Sequence, residues 1–240
     1  MELHLRCLYH HDANDRIVRT RQPNGWLSPL FHLGRTRLGN LWRFRDDLDP
    51  AAIRELARLA GREPSFPADG EHPPPERLEA MRSVLRSVTE IVVEWRGPAF
   101  RFPAKIVEPV AGPEALPLVS VRLGKESLLE ESFADTLSEL DARQPCVAAV
   151  ENGRAVSLCY AARPLDVAGS APCAVAEAGV ETVAGHRGRG HASRVVAAWG
   201  SAVREMGGEP IYSTGWDNKA SRAVARDLGL VFYGEDLSFS

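Results

Sequence analysis

The sequence predicts a mixed α/β protein, and three features carry that reading. "CVAAVENGRAVSLCYAA" holds two β-rich runs joined by Asn152-Gly153, a pair suited to the tight turn of a hairpin. "VETVAGHRGRGHASRVVAAWGSAVREMGG", Val180 to Gly208, passes from an extended run through a glycine-rich turn into an amphipathic helix. From the hairpin onward the order is strand, glycine turn, helix, strand, helix, strand, the alternation of a layered α/β structure.

Each element has its own signal. Arg16 to Trp42 mixes short apolar runs with Gly, Pro and Asn-Gly turn residues, so short strands and loops are expected. Asp49-Pro50 starts a helix, Asp as the cap and Pro in the first turn; Ile53, Leu56, Ala57 and Ala60 follow at helical spacing up to Gly61. The prolines between Pro64 and Pro75 exclude helix and central strand, which leaves a surface loop or linker. Leu78, Met81, Leu85 and Val88 then form one helical face, and "TEIVVEW" reads as a strand ending at an Arg96-Gly97-Pro98 turn. After the stretch from Pro103 to Pro117, "LVSVRL" is a strand, and Leu129, Phe133, Leu137 and Leu140 line a helix. The helix after the glycine turn is expected to bury Ala192, Val195, Val196, Trp199, Val203 and Met206 before Gly207-Gly208. "PIYSTGW" is a strand, Asp217 or Asn218 caps a helix through Leu228, Gly229 ends it, and "LVFYGEDLSFS" is the last strand.

Lys+Arg 29 against Asp+Glu 32 gives a formal net charge of -3, so no global field draws the chain to nucleic acid or an anionic membrane. No stretch approaches the roughly 20 apolar residues of a membrane span, and a cytoplasmic protein is expected. Cys7, Cys146, Cys159 and Cys173 lie apart without a CxxC and are expected to be reduced and mostly buried. Cys7, His10, His11 and Asp12 are ligand types on an N-terminal arm, expected to be mobile, without a matching second set, so no metal site is expected. Trp26, Phe31 and Trp42 among Arg35, Arg37, Arg43 and Arg45 read as a folded sheet with basic edges before a nucleic-acid surface.

Arg187-Gly188-Arg189-Gly190 before a helix is the pattern of an anion site, because successive backbone N–H groups and the helix dipole point into one concavity. It is not a Walker A loop, which needs Gly-x-x-x-x-Gly-Lys-Ser/Thr. A dinucleotide fingerprint needs a third glycine where Ser193 stands, and a βαβ unit where a hairpin stands.

Arg187-Gly188-Arg189-Gly190-His191-Ala192 resembles the Arg/Gln-x-x-Gly-x-Gly/Ala signature of the GNAT superfamily of acyl-CoA-dependent N-acyltransferases. "NKASRAVARDLGL", Asn218 to Leu230, is similar to that family's second motif, and the two occur in the family's order over residues 105 to 240. The resemblance implies a central mixed sheet whose fourth and fifth strands splay apart around the pantetheine arm of acetyl-CoA. It implies that the backbone of Val180, Glu181 and Thr182 pairs with the pantetheine, one N–H there serving the carbonyl oxygen. Arg187, Gly188, Arg189, Gly190, His191, Ala192 and Ser193 would hold the pyrophosphate, with Asn218 and Ser221 contributing from the next helix.

Amide formation needs a neutral amine, a proton acceptor, oxyanion donors and a leaving thiolate. Glu177 and Glu181 share a face of the expected fourth strand, and Glu177 is the first choice for the base, by the family's habit of drawing it from the strand's start. His191 is a third option. Ala225 stands where relatives often have a tyrosine acid, leaving Tyr212 and Tyr233 as substitutes. The expected function is acetyl transfer from acetyl-CoA to a primary amine of a small molecule or amino acid derivative, by direct attack in a ternary complex. The rival is a non-catalytic acyl-CoA sensor. Residues 1–104 are expected to form a lid over the acceptor and 105–240 the transferase domain, in a monomer or homodimer without nucleic-acid or membrane partners.

Overall fold

The structure, a computed structural model, describes residues 1–22, 27–67, 72–110, 112, 115–165 and 174–240. Trp26, Cys173 and parts of both proline-rich stretches lie outside the described residues. In chain order the elements begin with α1 (Glu2–Leu8), β1 (Tyr9–His11), β2 (Ile17–Thr20), β3 (Phe31–Thr36), β4 (Gly39–Phe44), α2 (Pro50–Arg62), α3 (Leu78–Arg86) and β5 (Glu94–Arg101). Then come β6 (Leu118–Ser120), α4 (Ala134–Ser138), β7 (Cys146–Glu151), β8 (Arg154–Ala161), β9 (Val175–Thr182), α5 (His191–Glu205), β10 (Glu209–Ser213), α6 (Lys219–Asp227) and β11 (Val231–Phe239).

The chain divides into two compact units, Met1–Ala99 with Thr214–Asp217 and Phe232–Ser240, and Phe100–Ser213 with Asn218–Val231. The sequence-based boundary at 104/105 put β11 with the C-terminal domain. Instead, β11 pairs antiparallel with β3, Leu237 opposite Leu33 and Phe239 opposite Phe31, so it completes the first unit's sheet.

In the first unit the strand order is β4-β3-β11-β5. Asp49 caps α2 by accepting the N–H groups of Ala51 and Ala52 at 2.8 and 3.0 Å, as its place before Pro50 predicts. Leu56 and Leu59 of α2 and Met81 and Leu85 of α3 bury against Leu33, Leu237 and Phe239. Each such aliphatic side chain is worth roughly 1.5–3 kcal/mol when taken from water. Phe31 stacks on both Phe44 and Phe239, and Arg35 is buried in an ion pair with Glu235, so these two residues of the stretch serve the sheet.

Two expectations fail here. The first eight residues are no loose arm: α1 buries His4, Leu5, Cys7 and Leu8, and His4 reaches the buried Asp236 at 3.1 Å. Nor does Arg96-Gly97-Pro98 turn the chain. β5 runs through it, because the glycine admits a close neighbour: a Cβ on Gly97 would lie 1.7 Å from the Thr214 carbonyl oxygen, while Thr214 N–H donates to the Pro98 carbonyl at 3.2 Å.

In the second unit the order is β10-β9-β8-β7-β6, with β9 and β10 parallel and the other pairs antiparallel. Asn152 and Gly153 take positive φ, 50° and 77°, as a hairpin turn of primed type requires. Val195, Val196, Trp199 and Val203 of α5 pack with Ala176 and Ala178 of β9, and the buried Trp199 donates Nε1–H to the Pro145 carbonyl at 3.0 Å. Met206 lies beyond the helix end and is half-exposed, not buried as expected. The helix expected over Leu129 to Leu140 is reduced to a 3₁₀ turn, Glu126–Leu128, and the short α4. Ser127, Ser132 and Asp135 favour local turns over continued helix, yet Leu129, Phe133 and Leu140 still reach the core. Cys7, Cys146 and Cys159 are buried and form no disulfide, and burial pushes the Cys146 thiol up to about 12. Among the described residues, no helix is long and apolar enough to cross a membrane.

Candidate functional site

β9 and β10 begin together and then part. Their pairing covers only Val175, Ala176 and Glu177 against Glu209, Pro210 and Ile211, while β9 continues to Thr182 on the β8 side alone. Which backbone groups this leaves open follows from the β8 register. Ala162 N–H donates to the Glu177 carbonyl and Val183 N–H to the Val156 carbonyl, so odd-numbered residues of β9 face β8. Val180 therefore turns its N–H and C=O to the open edge. Thr182 does the same, and its carbonyl accepts from Arg187 Nε at 3.1 Å. Glu181, expected to offer backbone at this edge, directs it instead to β8 and offers its side chain.

The glycine turn follows. Gly188 and Gly190 have φ of 75° and 78°, and Gly190 caps α5 from the left-handed region, where L side chains are strained. Nothing lies within 4 Å of where a Cβ on either glycine would stand. The N–H groups of His191, Ala192 and Ser193 open the helix and have no helical carbonyl behind them. His191 is buried, with Nδ1 unpartnered, and burial lowers its proton affinity, helped by His186 and Arg194. His186 Nε2 meets Glu151 at 3.0 Å.

The next helix supplies the third wall. Of the two expected caps it is Asn218 that closes α6, its Oδ1 accepting the Ser221 N–H at 3.0 Å. Together these elements enclose a cleft of about 840 Å³, lined by every expected cofactor residue except Arg189. Ser132 and Phe133 line it too, as do His186 and Asp227. Arg189 borders an adjoining hollow with Gly188, Gly190 and Arg194.

The catalytic candidates separate. Glu181 lines the cleft, and its Oε1 accepts from the Tyr160 hydroxyl at 2.8 Å. Glu177 is buried where the strands part, with one oxygen on the Arg163 guanidinium and the other accepting from Ser213 Oγ. Tyr212 is a core side chain: its hydroxyl meets Ser221 Oγ at 2.6 Å, and burial pushes its pKa up to about 12. It does not line the cleft. Ala225 is buried, and Tyr233 belongs to the first unit, where its hydroxyl meets His4. Tyr160, Arg163 and Ser213 were not singled out from the sequence. Their roles depend on how β8, β9 and β10 register, which no local pattern states.

No family model and no curated protein matches the chain. Solved structures do resemble it. A GCN5-related N-acetyltransferase-like protein from Streptococcus suis is 15% identical, over 89% of this chain and 85% of that one, with a TM-score of 0.49. A GNAT-family acetyltransferase from Colwellia psychrerythraea is 10% identical over 83% and 76%, with a TM-score of 0.47. The yncA protein of Salmonella typhimurium, solved with its cofactor acetyl-CoA, is 16% identical over 52% and 92%, with a TM-score of 0.39.

Proposed function

We propose that the second unit is a GNAT-type N-acyltransferase, with acetyl-CoA as donor and a primary amine of a small molecule or amino acid derivative as acceptor. One observation carries the reading: a single cleft joins an open strand edge at Val180 to an amide-lined glycine turn at a helix start. An amide-bearing arm ending in a pyrophosphate is the ligand such a pair of features suits. Acetyl-CoA, when bound, supplies an acyl group activated as a thioester.

The chain's own residues supply the rest. The Val180 N–H and C=O hold the arm as an added strand would, and the amides from Gly188 to Ser193 hold the anion. Glu181 takes the amine proton, because of the two carboxylates that line the cleft, Glu181 and Asp227, it is the one on β9, next to the open edge at Val180. Glu177, the first choice from its place on the strand, takes second rank, because both its oxygens are already engaged. No proton donor is assigned, since a thiol of pKa near 8.5 leaves readily.

The Ala225 position favours a second reading, an acyl-CoA sensor without turnover. Incubation with acetyl-CoA and a panel of amines, following thiol release, separates them. Amine-dependent release supports the transferase, and binding without release supports the sensor.

A further inference from the structure

We propose that Tyr160 is a positioning residue for Glu181, seated over β9 by the missing side chain of Gly179, so that its hydroxyl fixes the carboxylate at the cleft wall. The proposal rests on the transferase reading above. Tyr160 and Gly179 are directly opposite on β8 and β9. A Cβ on Gly179 would lie 2.5 Å from Tyr160 Cε2 and 2.8 Å from Cζ, so the ring occupies the volume a side chain would take. Gly179 has no positive φ, and its need for glycine is this ring rather than a turn.

The ring is held from elsewhere as well. The Arg143 guanidinium lies 5.0 Å from its centroid, itself fixed by Glu139 and by the Ala162 carbonyl at 2.6 Å. From this seat the hydroxyl donates to Glu181 Oε1. Burial, and then Glu181 itself, push the Tyr160 ionisation upward, so the hydroxyl stays a donor at any pH where an amine is acetylated. One oxygen of Glu181 is thereby occupied and the side chain confined, and Oε2 is left to meet the acceptor. Proton transfer depends steeply on such placement.

Two readouts test this on the full chain. The first needs no turnover: in protein carrying ring-labelled tyrosine, NMR titration should show Tyr160 ionising well above an ordinary tyrosine, and Glu181→Gln should lower that midpoint. The second is kinetic. Tyr160→Phe should lower kcat about 10- to 100-fold with acetyl-CoA affinity and melting temperature nearly unchanged. Gly179→Ala, which displaces the ring, should lower kcat similarly in the wild type and add nothing in the Tyr160→Phe background. A Tyr160 midpoint indifferent to Glu181→Gln overturns the proposal, as does full kcat in Tyr160→Phe or additive losses in the double variant. If the titration behaves as expected but the wild type acetylates no amine, the transferase reading falls, and the positioning role falls with it.

Discussion

Glu177 and Arg163 form a largely buried ion pair at the point where β9 and β10 separate, and Ser213 completes it by donating to the second carboxylate oxygen. Breaking such a pair by removing one partner costs about 3–5 kcal/mol, because the remaining buried charge loses its countercharge. Glu177→Gln should therefore lower the melting temperature clearly while the folded fraction keeps kcat within a few-fold. Glu181→Gln should behave oppositely, losing about 10²–10⁴ in kcat at unchanged stability. Denaturant titration beside steady-state kinetics checks both, and a dead Glu177→Gln beside an active Glu181→Gln would restore the order expected from the sequence.

Tyr212 gives a sharper negative. Tyr212→Phe removes the partner of Ser221 Oγ and should cost about 1 kcal/mol of stability with kcat unchanged. A hundredfold fall in kcat would make Tyr212 the proton donor after all.

The first unit should be acid-sensitive through Asp236. Burial pushes this carboxyl up, but His4 and His32 outweigh burial and hold it below the usual range. Its folded pKa is thus below the unfolded value of about 3.9, so its contribution is complete above that pH and is lost as pH falls through the folded value. Urea unfolding at neutral and acid pH should show this loss in the wild type and a flatter acid limb in Asp236→Asn, which is itself less stable at neutral pH.

Removing residues 1–104 should not leave a folded transferase. The deletion strips β11 of β3 and β5, its neighbours in the sheet, and exposes an unpaired apolar strand. Circular dichroism of residues 105–240 should show no cooperative melt; a cooperative one would mean that the second unit folds without the first.

Much of this was legible where a local residue dictates local geometry. Asn152-Gly153, Asp49-Pro50, Gly190 and Asn218 each declare a turn or a cap, and the two helices flanking the cleft followed. What could not be read depends on partners distant in the chain. Gly97 looked like a turn because Thr214, which fills the space above it, is far away in sequence. Glu181 and Glu177 looked alike because neither Tyr160 nor Arg163 advertises its carboxylate. β11 could not be assigned to a unit without knowing that β3 lies beside it.

Acetyl-CoA is proposed to lie between the glycine turn and the open edge of β9. Gly190 has a φ of 78° and opens the amide-lined concavity, so Gly190→Val both strains the turn and crowds the anion. The deciding measurement is the calorimetric affinity of acetyl-CoA for the wild type and for a Gly190→Val protein whose circular dichroism shows that it is folded. One site is expected in the wild type and a loss of about 100-fold or more in the variant, as several charge-assisted hydrogen bonds go at once. Equal affinity in the two proteins, or no binding to the wild type, would contradict it.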